Sequence, residues 1–190
     1  MAETVRPIFP SKLRWILDNF LREKFGNHER FFRRFGLSEG MRIMDVGCGP
    51  GIVTMALQRI VGKSGWVFAV DINPDMINHA MIKLRNLDNI TFVISNATDV
   101  PLARIPIFDA IVFYYSLHEM SNRHLVLEKC ADLIKPNGLL IITEPRVEVG
   151  NRMLEQEVQQ IINAGFVLKK KSKTLPFRLE LMFEFNRKDS

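Results

Sequence analysis

Cysteine is almost missing from this 190-residue chain. Cys48 and Cys130 stand alone, with no CxxC spacing and no histidine pair beside them. That excludes a disulfide framework and gives no ligand set for zinc, so both thiols are expected to be reduced, small and partly buried. Long apolar runs are missing as well: no stretch approaches the roughly 18 to 20 residues that a membrane span needs. The opening residues, Met1 to Pro10, mix acid and base and lack the apolar core of a secretory signal, which makes the cytoplasm the expected compartment. Repeats, low-complexity tracts and linkers are lacking too, so one compact unit is expected, with residues 1–40 as a helical cover on a domain over 41–190.

The net charge of +5 is uneven: +3 in residues 1–40, −1 in 41–145 and +3 in 146–190. The excess lies in the flanks. Its densest part is Lys169-Lys170-Lys171-Ser172-Lys173, which attracts phosphate in principle. On a strand, however, successive lysines face opposite sides and protect an edge from pairing, so nucleic acid is the less favoured partner.

From Met41 onward short apolar runs alternate with helical patterns. Arg42 to Val46, Trp66 to Val70, Ile90 to Ile94, Asp109 to Tyr114 and Leu139 to Thr143 are nearly continuous in apolar residues, as expected of parallel strands covered on both faces. Ile52 to Val61, Pro74 to Leu87 and Asn122 to Ile134 carry apolar residues at helical spacing, with Asn73 as a cap before Pro74. A helix over Asn151 to Ala164, a stop at Gly165 and two alternating runs, Phe166 to Leu175 and Arg178 to Phe185, predict a closing antiparallel hairpin. Before the first strand, Leu13, Ile16, Leu17, Phe20 and Leu21 share one helix face; Phe31, Phe32 and Phe35 form a second apolar patch that either packs on the sheet or offers an interface to another copy.

Asp45-Val-Gly47-Cys-Gly49-Pro-Gly51 lies between a strand and a helix. Glycine suits a turn that demands positive φ or close backbone approach to a ligand, which predicts that side chains there would occupy the ligand's place. Asp71 ends the next strand, where a carboxylate can accept both hydroxyls of a ribose; with Asn73 as the helix cap, Asp71 is expected to be free for that. Together they indicate an adenosine-containing cofactor. The spacing Asp-x-Gly-x-Gly-x-Gly differs from the dinucleotide Gly-x-Gly-x-x-Gly, which argues against a nicotinamide-dependent oxidoreductase.

With Asp45 to Gly51, Val70-Asp71, Asn96-Ala97-Thr98-Asp99, Phe108-Asp109 through Leu117-His118-Glu119, and Leu133 to Gly138, the chain resembles the class I S-adenosylmethionine-dependent methyltransferases, in particular the small cytosolic type 11 enzymes. The resemblance implies an α/β, Rossmann-like fold: a mostly parallel seven-stranded sheet with helices on both faces and a C-terminal antiparallel hairpin. It implies S-adenosylmethionine as cofactor, leaving as S-adenosylhomocysteine. Asp45, Gly47, Cys48, Gly49 and Gly51 would lie along the donor, Asp71 on its ribose, Asn96 and Ala97 on its adenine, and Ile72 and Met76 against the base. Asn96 stands where the family commonly has Asp, and its side-chain carbonyl would accept from the adenine amino group.

The fourth strand ends in Phe113-Tyr114-Tyr115-Ser116-Leu117-His118-Glu119, at the edge where open α/β sheets place ligands. Methyl transfer from a sulfonium needs alignment, desolvation and at times a base, for which His118 and Glu119 are the candidates. Equally, His118 has a structural use as a hydrogen-bonding residue within its own segment, and Tyr114 and Tyr115 are either pocket or core. No proline follows this strand, unlike the amino-methylating enzymes of nucleic acids, and no strand-end cysteine besides Cys48 offers a nucleophile. A small-molecule acceptor is therefore favoured over RNA or protein, with a non-catalytic partner subunit as the other alternative. No metal is implied.

Overall fold

A computed structural model describes residues 27–101, 107–145, 149, 151–174 and 178–186. The helix expected around Leu13 to Leu21 lies outside them. Helices α1 (His28–Arg34), α2 (Ile52–Val61), α3 (Pro74–Lys83), α4 (Arg123–Leu133) and α5 (Asn151–Asn163) surround strands β1 (Arg42–Val46), β2 (Trp66–Asp71), β3 (Ile90–Ile94), β4 (Phe108–Tyr114), β5 (Ile134–Pro145), β6 (Phe166–Thr174) and β7 (Arg178–Phe185). A single 3-10 turn, Leu117–Glu119, follows β4. The sheet runs β3-β2-β1-β4-β5-β7-β6, parallel up to β5 and antiparallel through β7 and β6. Strand order reverses between β1 and β4, so the carboxyl ends of those two strands open the crevice where a ligand is expected.

Alternating strand residues feed two cores. Met44, Phe68, Ile111, Phe113, Leu140, Ile142, Leu181 and Phe183 face α4 and α5, which contribute Val126, Leu127, Leu133, Leu154 and Ile161. Ile43, Val67, Val112 and Ile141 face α1 and α2, with Phe31, Phe32, Phe35, Val53, Leu57 and Ile60. The Phe31–Phe35 rings are thus core and not an interface: Phe32 is fully buried, and Tyr114 meets Phe31 edge-on. Asn27 caps α1 by accepting from the Arg30 N–H, and Asn73 caps α3 by accepting from the Asp75 N–H, as its position before Pro74 predicted.

Several element boundaries differ from the sequence reading. Helix α3 stops at Lys83 and not Leu87, because the Leu87 N–H bonds back to the Leu84 carbonyl in a tight turn. Helix α4 is one residue shorter at each end than expected. Strand β5 begins at Ile134, which pairs with Phe108 before a register break; Asn137, at φ +61°, carries the chain through that irregularity. Strand β6 is an outer strand, as the lysine run suggested, and two of its lysines are engaged within the fold: Lys169 pairs with Glu184 at 3.1 Å, and Lys170 lies over the Phe35 ring.

Candidate active site

The glycine turn closes β1 at the carboxyl edge. The Gly47 and Cys48 N–H groups donate to the Val70 carbonyl, at 2.8 and 3.0 Å, which ties the turn to the end of β2. Its glycines have different reasons. A Cβ on Gly47 would lie 2.5 Å from the Ser116 Cβ, and one on Gly51 would lie 3.0 Å from Ala80, so those two positions serve close packing against the β4 end and α3. That corrects the expectation that every glycine is kept bare for the ligand. A Cβ on Gly49 would meet nothing within 4 Å, so Gly49 lines open space where the donor is expected.

Asp71 is not free, contrary to the sequence reading. Its Oδ2 accepts the Gly49 N–H at 2.8 Å and its Oδ1 accepts the Asn73 N–H at 2.9 Å. The carboxylate therefore shapes the turn, and its remaining lone pairs are what a ribose can use. Ile72, 68% exposed, stands next to it with half-buried Met76 below, an uncovered apolar wall at the end of β2. Asn96 and Ala97 follow the end of β3. The exposed Asn96 accepts the Thr98 N–H at its Oδ1, at 3.3 Å, a long bond that leaves the oxygen a second lone pair, while Ala97 packs against the core.

Asp45, Cys48 and Tyr114 line the cleft beside the turn together with Gly47, Gly49, Pro50, Ile52 and Val53. Asp45 is 1% exposed and accepts from the Thr54 hydroxyl at 2.7 Å. Burial pushes its carboxyl up to about 7, against the pull of that hydrogen bond, with Asp71 adding a little more. Burial, followed by Asp45 and Asp71, also raises the Cys48 thiol, which is protonated and inert.

At the end of β4 the backbone is tight. Tyr115 takes φ +58°, a left-handed conformation costly for a bulky residue, and is held there by its N–H bond to the Thr143 carbonyl at 2.8 Å. Ser116 donates its hydroxyl to the Val46 carbonyl at 2.6 Å, locking the β4 end against the glycine turn. His118 follows on the 3-10 turn, its side chain 9% exposed. Its Nδ1 is hydrogen-bonded to the Glu144 Oε2, and its backbone N–H donates to the Glu144 Oε1 at 3.1 Å. Glu119, by contrast, is 71% exposed at its side chain and lies 3.9 Å from the His118 Nε2. The fully buried partner of the histidine is Glu144, which the sequence reading did not single out.

Behind this pair, Glu157 of α5 is 2% exposed, and both its carboxylate oxygens, with the Arg123 Nη1, lack a hydrogen-bond partner among the described residues. Burial and then Glu144 push the Glu157 carboxyl up to about 7, while Arg123 and His118 pull it down. On the opposite face Tyr114 meets His28 edge-on, and its hydroxyl lies 3.5 Å from the Arg178 Nη1. Among the described residues no His, Cys, Asp and Glu group is arranged to hold a metal ion. No described helix is long and apolar enough to cross a membrane.

A turn left open at Gly49, flanked by a carboxylate at the next strand end and an exposed apolar wall, fits a nucleoside with a compact polar tail. Comparison with known proteins agrees. Residues 37–185 match the family described as a methyltransferase domain. The ubiquinone/menaquinone biosynthesis C-methyltransferase UbiE of Haemophilus ducreyi is 34% identical over 128 residues, covering 63% of this chain and 49% of that protein. The UbiE of Vibrio vulnificus is 32% identical over 127 residues, with 63% and 48% covered. The chain thus spans about half the length of these curated relatives. Among solved structures, a SAM-dependent methyltransferase from Aquifex aeolicus superposes with a TM-score of 0.81 at 26% identity, over 94% of this chain and all of that one. Aeropyrum pernix fibrillarin, solved with natively bound S-adenosylmethionine, shares the fold at a TM-score of 0.66 and 15% identity, over 77% and 67% of the two chains. With its glycine turn, its sheet order and these relatives in agreement, the chain belongs to the class I S-adenosylmethionine-dependent methyltransferases.

Proposed function

We propose that the chain methylates a small-molecule acceptor in the cytoplasm, with His118 as the base that takes the acceptor's proton. The observation that carries this reading is the His118–Glu144 pair at the end of β4. With the Glu144 carboxylate as acceptor, Nδ1 carries the imidazole proton, which makes Nε2 the nitrogen through which the ring would act as a general base. Glu144 is a positioning residue: it fixes the ring's orientation and tautomer and supports the positive charge that develops when Nε2 takes a proton. Glu119, exposed and loosely placed, is left with at most a peripheral part.

Bound S-adenosylmethionine supplies a methyl group on a cationic sulfur that leaves as a neutral thioether. The Gly47–Gly49 backbone would hold its methionine part, Asp71 its ribose, and Ile72 with Met76 one face of its adenine. The Asn96 side-chain carbonyl would accept from the adenine amino group through its second lone pair, with Ala97 beside it. Buried Asp45 would meet the ammonium indirectly, through the turn that it and Thr54 brace. Tyr114 and the strained Tyr115 wall the reacting region against water. A small acceptor, and not nucleic acid, is supported by the proline-free strand end, by the internal use of Lys169 and Lys170, and by the small-molecule biosynthesis named for the UbiE relatives.

Incubating the protein with methyl-labelled donor and a small-molecule extract tests this directly. Label should enter a low-mass product, and His118→Ala should slow that transfer by about 100- to 10,000-fold while S-adenosylhomocysteine still binds. Transfer into RNA or protein alone would overturn the acceptor class; undiminished turnover in His118→Ala would remove the base.

A further inference from the structure

Tyr114, Thr143, Glu180 and Ser172 stand side by side in the register of β4, β5, β7 and β6. Glu180 is fully buried beneath α1 and accepts from the Arg34 Nη2 at 2.7 Å, the Ser172 hydroxyl at 2.7 Å and the Arg178 Nε at 3.0 Å. Among the described residues, two guanidiniums thus share one carboxylate. One is enough to neutralise Glu180, and the second leaves this cluster of three side chains with a surplus positive charge.

Arg178 is the better placed of the two to use that charge. It opens β7 opposite Pro145, at the carboxyl edge, and its side chain is 25% exposed. Glu180 grips the Nε and Nη2 side, and the Phe31 ring lies 4.8 Å beneath the guanidinium carbon. Nη1 points to the Tyr114 hydroxyl, but at 3.5 Å that contact is long and weak. Tyr114 itself lines the donor cleft. A guanidinium locked by a buried carboxylate, with one nitrogen directed at the hydroxyl of a tyrosine that lines the donor cleft, is a preorganised receptor for an oxyanion.

We propose that Arg178, backed by Arg34, seats a carboxylate of the methyl acceptor, so that the substrate is a small carboxylic acid whose reacting atom lies toward the β4 end. The assignment rests on the methyltransferase reading of the same cleft and narrows its substrate class. His118 and Arg178 then flank the β4 end from opposite faces of the sheet, one for the acceptor's proton and one for its charge.

The test titrates protein saturated with S-adenosylhomocysteine against a panel of small aromatic and aliphatic carboxylic acids and their matched neutral amides. At least one acid should bind about tenfold or more tightly than its amide. Arg178→Gln should erase that preference and leave S-adenosylhomocysteine affinity unchanged, while Arg178→Lys should keep part of it. Arg34 and Ser172 still satisfy Glu180 in both variants, and a thermal melt verifies their folding. Two results overturn the assignment: no acid preferred over its amide, or Arg178→Gln weakening S-adenosylhomocysteine about tenfold, which would put the guanidinium on the donor's own carboxylate. Failure of the wild-type chain to bind S-adenosylhomocysteine would instead sink the underlying reading, and this assignment with it.

Discussion

Asp71→Ala should separate two tasks of one carboxylate. In the free protein the side chain accepts the N–H groups of Gly49 and Asn73, at 2.8 and 2.9 Å. Hydrogen bonds to a charged acceptor are worth about 1.5–3 kcal/mol each when dry, but these are partly open to water, so about 1 kcal/mol each is the fitting scale for folding. The variant should therefore lose about 2 kcal/mol of stability, a drop of about 4–8 °C in Tm for a chain of this size. Donor binding should fall further, because the ribose hydroxyls lose their acceptor and the Gly49 turn loses its tether. A loss of about 1.5–3 kcal/mol weakens S-adenosylhomocysteine by about 10- to 100-fold in a calorimetric titration. A chemical counterpart isolates the ribose part: wild-type protein should prefer adenosine over 2′-deoxyadenosine, and Asp71→Ala should lose that preference. A stable Asp71→Ala protein with donor affinity within about threefold of wild type refutes the reasoning, since Asp71 would then serve the turn alone.

Gly49→Ala and Gly47→Ala should part company. The first places a methyl in open space and should cost about 1–2 kcal/mol of stability for its positive φ, yet remove donor binding; the second collides with Ser116 and should cost about 2–5 kcal/mol, read as Tm. Glu144→Gln should leave S-adenosylhomocysteine affinity unchanged and lower kcat by about tenfold or more, with KM little moved, because the imidazolium loses its counter-charge. Asp45 gives a pH signature. Its carboxyl is raised to about 7 in the folded chain, above the value near 4 expected when unfolded, so its contribution is fully present below pH 4 and disappears as pH rises to 7. Asp45→Asn, which cannot ionise, should gain on wild type across that window by at most about 4 kcal/mol, and a Tm difference constant from pH 4 to 8 would refute the buried protonated carboxyl.

What could be read from the residues is what local pattern determines. Continuous apolar runs give β1 to β5, alternation gives the β6–β7 hairpin, and Asn73 before Pro74 gives a cap, because each depends on near neighbours in the chain. The glycine turn was legible as a site but not in its detail. Positive φ follows from glycine itself, whereas the collisions that reserve Gly47 for Ser116 and Gly51 for Ala80 involve residues 69 and 29 positions away. Asp71 illustrates the same limit: its place at a strand end marks it for a ribose, while its bond to the Gly49 N–H exists only after β1 and β2 are paired.

The site residues that escaped a linear reading are charges buried by topology. Glu144 follows the apolar run of β5, and a carboxylate at the carboxyl edge of a central strand is a signal in its own right, but its partner His118 is 26 residues away. Glu157 sits in a helix whose polar residues resemble an ordinary solvent face until α5 closes on Glu144. Glu180 is the sharpest case. In Arg178-Leu-Glu-Leu-Met-Phe-Glu-Phe it occupies the polar phase of an alternating strand, which predicts exposure on one open face. Two features reverse that outcome: β7 inserts between β5 and β6, and α1 covers the supposed open face with Arg34 and Phe31. A carboxylate enclosed there requires cations, and the cations that answer it leave a surplus charge next to Tyr114, which lines the donor cleft. The charge that would select an acceptor is thus a consequence of sheet order, and no window along the chain contains it.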